Sequence, residues 1–156
     1  MRRRPLAAPL ALAALLAGSW LAAATPASSA PPASDIHVEN AWIPQPPPGT
    51  DVAAAYLTLR NVGHRPAVLV GVSSPVAGNA MVHRSLVMHG ESMMMPVERL
   101  TVGPGKTVTL KPDGLHVMLN SLRRPLQVGE RVPLVLRFAS GEELHVTAQV
   151  RPLGSE

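Results

Sequence analysis

His116 and Met118 stand two residues apart in the run Leu115-His116-Val117-Met118-Leu119. In an extended strand, Leu115, Val117 and Leu119 share one face, and the imidazole and thioether share the other. The pair follows the turn residues Pro112-Asp113-Gly114 and so sits where a strand begins. An imidazole beside a thioether at a strand rim makes half of a metal site. His83 and Met94 fit as the other half: they flank a turn at Gly90 on neighbouring strand runs, and a hairpin brings them to one edge. Two imidazoles and two thioethers form a soft, uncharged donor set, which suits Cu(I) over Zn, Mg or Ca. Thioethers do not titrate, so only the histidines compete with protons.

Methionine usage points the same way. Of 7 methionines, one is the initiator and the rest fall between Met81 and Met118. Core gap-filling would scatter them. Met93, Met94 and Met95 are consecutive, so on a strand they cannot all face a core. An outward thioether is open to oxidation and calls for a reason. At least one of the three should point outward, and Met94 is the one that fits beside His83. Met81 and Met88 read as packing residues or outer neighbours of the site. His89, beside Gly90, reads as a solvated turn residue with a Cu(II) role as the alternative. His37, His64 and His145 read as exposed and inert, Trp42 and Tyr56 as core anchors, and Arg123-Arg124 as a solvated pair.

These residues need strands to hold them. Short β-type runs are expected near His37–Ile43, Ala53–Leu59, Ala67–Val72, Met81–Met88, Met93–Leu100, Thr107–Leu110, His116–Leu119, Val132–Phe138 and Leu144–Val150, with Pro, Gly, Asn or Asp between them. Val132, Leu134, Leu136 and Phe138 share one face, as do Leu144, Val146, Ala148 and Val150. No helix-period stretch interrupts the series. The expected class is all-β, an antiparallel Greek-key sandwich or barrel.

The N-terminal stretch has a different character. Arg2, Arg3 and Arg4 precede an Ala/Leu-rich run from Leu6 to Ala24 and a small-residue segment from Thr25 to Ala30. That order is expected of a secretory signal peptide and its small-residue exit over residues 1–30, followed by one domain over 31–156. Cleavage after Ala24, Ala27 or Ala30 fits equally. An uncleaved anchor is the alternative, but the apolar run is mostly Ala, contains Pro9 and is short for a span. Without the three arginines the net charge falls from +4 to about +1. With no basic run left but Arg123-Arg124, nucleic-acid binding is a poor fit. With 0 cysteines, disulfides, thiol chemistry and a blue-copper site are all excluded.

The full spacing, His83, ten residues, Met94, twenty-one residues, His116, one residue, Met118, is the pattern His-x10-Met-x21-His-x-Met. With Ala41-Trp42, Ala55-Tyr56-Leu57-Thr58-Leu59, Asn61, Val72-Ser73-Ser74-Pro75, Thr107–Pro112 and Val132–Phe138, it resembles the periplasmic copper chaperone family PCuAC over roughly Ala41 to Val150. Pro44 stands where that family usually has a basic residue, and Leu115 where it has an aromatic one. The resemblance implies a cupredoxin-like fold without the usual Cys. It also implies Cu(I) held by His83, Met94, His116 and Met118. The implied destination of the copper is the Cu(A) centre of cytochrome c oxidase, reached alone or with a Sco-type partner.

Two other classes compete. A copper oxidase or dismutase uses more histidines, or Cys and a second metal, and no such cluster or nucleophile–base pair is legible. An exported β-sandwich that binds protein would use the methionines as an apolar contact patch.

Overall fold

β-branched and leucine residues at alternate positions, punctuated by glycine and proline, produce ten strands. The computed structural model describes residues 35–155; the expected signal peptide lies outside them. The strands are β1 (Ile36–Pro44), β2 (Ala53–Asn61), β3 (Ala67–Ser73), β4 (Ala77–Met88), β5 (Glu91–Pro96), β6 (Leu100–Val102), β7 (Thr107–Leu110), β8 (Leu115–Leu122), β9 (Arg131–Phe138) and β10 (Glu143–Arg151). Their hydrogen-bonded order is β5-β4-β8-β2-β1-β10-β9-β3-β6, and a further β3–β4 pairing closes seven of them into a barrel. β5, β6 and β7 are appended to β4, β3 and β2.

The antiparallel expectation is met in every pairing but one. β1 and β10 run parallel, with Trp42 opposite Gln149 and Pro44 opposite Arg151. Parallel neighbours need a long crossover, and here the chain between the first and last strands supplies it. The expected strand Met93–Leu100 is two strands. Pro96, which has no N–H to extend a ladder, ends β5, and β6 moves to β3, where Leu100 pairs with Leu69.

The core takes the inward face of each strand: Leu57 and Leu59 from β2, Val117 and Leu119 from β8, Val132, Leu134, Leu136 and Phe138 from β9, Ala148 and Val150 from β10. Leu144 and Val146 pack against it only partly buried. Trp42 is buried, at 8% exposure, but stands outside the main core cluster, and Tyr56 is half-buried. The register of β1 shifts between Glu39 and Trp42, and Asn40 takes a positive φ of 51° there. This bulge sends Ile43 into the core and Trp42 to the outer face. There it meets Tyr56, whose chain neighbours Ala55 and Leu57 point inward, at a ring centroid distance of 4.9 Å. Arg124 pairs with Glu130, so it is not simply solvated.

One buried side chain ties the barrel end opposite these aromatics. Asn61 Nδ2 donates to the carbonyls of Arg65 at 2.7 Å and Val102 at 2.9 Å, and Oδ1 accepts from the Gly63 amide at 2.9 Å. Asn61→Ala removes these bonds and takes one donor from the buried Val102 carbonyl. The expected loss is about 1–3 kcal/mol, read as a lowered urea midpoint in equilibrium unfolding; an unchanged midpoint would show that the clamp contributes nothing.

Candidate metal centre

The geometry of the candidate site follows from two apolar residues. Val82 on β4 and Val117 on β8 are partners across the ladder, and both are buried in the core. Period-two alternation then turns Met81 and His83 of β4, and His116 and Met118 of β8, to the outer face. The register sets His83 directly opposite His116 and Met81 directly opposite Met118. The imidazole centroids lie 6.0 Å apart with their planes at 89°.

β5 reaches the same face by its hairpin with β4. Ser85 pairs with Met94 and His83 with Pro96, so Met94 is diagonal to His83. Met93 and Met95 pair with Leu86 and Arg84 and take the opposite face. Met94 and Met118 therefore flank the histidine pair from opposite sides. Met94 is 56% exposed, whereas His83, Met81 and Met118 are half-buried and His116 is 4% exposed.

His116 Nδ1 lies 3.1 Å from the Gly114 carbonyl. A carbonyl only accepts, so Nδ1 carries a proton, and in the neutral ring the lone pair is the one on Nε2. The same carbonyl accepts from the Ser85 amide at 3.1 Å, which locks the turn before β8 against β4. The turn itself needs a left-handed residue at Asp113, with φ of 60°. His83 Nδ1, by contrast, is buried and has no hydrogen-bond partner. Burial first, and then the neighbouring His116, hold the His83 pKa below the ordinary histidine value. Both causes favour the neutral ring, the form that binds metal. An unpartnered buried nitrogen costs about 1–3 kcal/mol, which a cation at that lone pair would offset.

On β2, the pairs Ala54–Met118 and Ala55–Val117 bring Tyr56 next to His116. Burial, and then the charge of Asp113, raise the Tyr56 pKa. Trp42 follows on β1, and the Arg151 guanidinium sits 5.3 Å from its ring centroid. A row of Arg151, Trp42 and Tyr56 thus walls one flank of the histidines.

The structure therefore brings His83, His116 and Met118 together and sets Met94 diagonally beside them. His37, His64, His89 and His145 are exposed and apart, and Met88 takes the opposite face from His83. Among the described residues no three His, Cys, Asp or Glu side chains cluster to hold a metal, so the donor set depends on its thioethers. Met81 is the residue that spacing passed over. Its signal was present: Met81-Val82-His83 and His116-Val117-Met118 are mirror images, and antiparallel pairing matches each residue with its like.

Comparison with known proteins adds to this geometry. The profile of the family described as "Putative lipoprotein LpqE-like" matches residues 36–150. "Putative lipoprotein Lxx21020" of Leifsonia xyli subsp. xyli is 31% identical over 152 residues, 95% of this chain and 90% of that protein. Among solved structures, CuI-DR1885 from Deinococcus radiodurans is 36% identical over 80% of this chain and 81% of its own, with a TM-score of 0.59. The copper-bound PCuAC domain from PmoF2 is 25% identical over 76% and 94%, with a TM-score of 0.65. The barrel is accordingly cupredoxin-like.

The lowered His83 pKa has a consequence for the metal-free protein. The unfolded chain takes up the proton first, near pH 6.5, while the folded chain resists it until a lower pH. Stability is full above the unfolded value and declines as pH falls through the folded one. Urea midpoints of metal-free protein should drop on acidification from pH 7.5 to about 5, and His83→Gln should flatten that drop. A slope untouched by His83→Gln would show that this histidine is not the proton-sensitive group.

Proposed function

The chain belongs to the family described as "Putative lipoprotein LpqE-like", and from that premise we propose that it is an exported carrier of Cu(I). The observation that carries this reading is the outer-face grid of β4 and β8, where register sets two imidazoles opposite each other beside paired thioethers, with Nδ1 of His83 buried and unpartnered. In this reading His83, Met94, His116 and Met118 are the copper ligands. Soft, uncharged donors of this kind favour Cu(I). Copper in CuI-DR1885 and in the PmoF2 domain supports the same cargo.

A carrier must release what it holds. Met94, the exposed donor, stands on the edge strand β5, where a partner's ligand can displace it. Delivery to the Cu(A) centre of cytochrome c oxidase, alone or beside a Sco-type protein, is proposed on the His-x10-Met-x21-His-x-Met pattern. Export to the periplasm is proposed on the leader over residues 1–30 and on the lipoprotein description of the family. None of the 156 residues is a cysteine, so a thioether-linked lipid has no attachment point within them. We assign the chain no catalysis.

A second reading, an exported interaction domain, draws on the far face of the β4–β5 hairpin, where Met88, Met93 and Met95 are exposed. One experiment separates the two. Protein lacking residues 1–30 is titrated with Cu(I) against a competing chelator, alongside the double variant His116→Ala with Met118→Ala. A carrier binds one tightly held Cu(I), and the double variant weakens it by at least about a hundredfold, or 2.7 kcal/mol. Copper binding that survives both changes, or none in the parent, removes the carrier reading and leaves the interaction domain.

A further inference from the structure

Met81 lies outside the His-x10-Met-x21-His-x-Met spacing. It does not fill the core, because its neighbours Ala80 and Val82 point there, and Val82 is 5% exposed. The β4–β8 ladder runs from Ala77–Leu122 to Arg84–Leu115 without a register shift, so Met81 shares the outer face with His83 and meets Met118 head-on. Directly opposed side chains have Cβ atoms about 4.5–5.5 Å apart, whereas a diagonal pair such as Met94 and His83 stands at about 7–8 Å. Met81 is thus the thioether in register with Met118, and Met94 approaches the histidines from the other side and from one strand further out.

We propose that Met81 is a copper ligand, so that the paired tripeptides Met81-Val82-His83 and His116-Val117-Met118 together present two thioethers and two imidazoles to one Cu(I) ion. This rests on the carrier reading above and deepens it. Two opposed thioethers converge on a single ion by side-chain rotation alone, with no bend in either strand. Methionine has three side-chain torsions for that adjustment. Met81 and Met118 are half-buried and Met94 is exposed, so the two tripeptides form the sheltered seat of the ion. Met94 then serves as the exchangeable donor. Met94 and Met81 reach the histidine pair from opposite sides, and the ion passes between them while His83 and His116 stay bound. No change of oxidation state or proton transfer is involved, only replacement of one neutral thioether by another.

The test labels the methionine ε-methyl groups with carbon-13 and follows them by NMR as one equivalent of Cu(I) is added to the full domain. Met81→Leu identifies the Met81 signal, and its own Cu(I) affinity is measured against the same chelator. The expected result is that the Met81 and Met118 methyls shift together and that Met81→Leu weakens Cu(I) binding by at least about tenfold. Copper bound with Met94 and Met118 shifted but Met81 unmoved overturns the inference and leaves the carrier reading standing. Undiminished affinity in a folded Met81→Leu overturns it in the same way. Absence of Cu(I) binding by the parent protein overturns both. If Met81→Leu fails to fold, copper-induced methyl shifts in the parent, with the other methionines assigned by their own Leu variants, decide the matter alone.

Discussion

Val82 and Val117 face each other across two antiparallel strands and are both held in a dry interior. A slip of one residue in either strand would bring a histidine and a methionine inward and send valine to water. Such a slip would move the whole apolar set of that strand off the core face, so the hydrophobic pattern fixes the register. Everything on the outer face inherits it. Two histidines meet because two valines do, and Met118 has a thioether opposite it for the same reason. The barrel beneath, closed by the β3–β4 pairing, is the rigid floor on which the donors stand.

Much of this was legible in the sequence, and the reason is period two. Alternation in Val132–Phe138 and in His116–Leu119 showed which side chains face inward, and the donors were found as the exceptions to it. Parity also separated Met94 from Met93 and Met95, and the hairpin puts only Met94 on the face of His83. Pairing between distant strands was not legible, because it depends on partners that no local pattern names. The parallel meeting of β1 and β10 is of that kind. So is the position of Met81: spacing along the chain measures distance in residues, whereas a neighbour across a ladder has none. Trp42 is buried, as its size and apolarity suggested, but the bulge at Asn40 puts its ring on the outer face against Tyr56 and gives the main core position to Ile43.

The outer face is not the same on its two sides. On one, Tyr56 and Trp42 extend the histidine row across β2 and β1, with Arg151 laid over the indole. These bulky side chains occupy that flank. On the other, β5 is an edge strand among the described residues, and Met94 is its contribution to the face. The hairpin side is therefore the more open approach to the histidines. The locked turn at Gly114 holds the site's floor while the hairpin forms its rim.

No carboxylate belongs to the donor set, and no acidic cluster with metal-binding potential exists among the described residues. Surface sites built from aspartate and glutamate draw cations in through their field and lose that attraction as salt accumulates within a Debye length, about 8 Å at physiological ionic strength. Thioethers carry no charge, so a donor set that relies on them has little field to screen. In the proposed carrier the cation would be selected by the polarizability of sulfur and by coordination geometry. Such a preference would hold in brine as in dilute water.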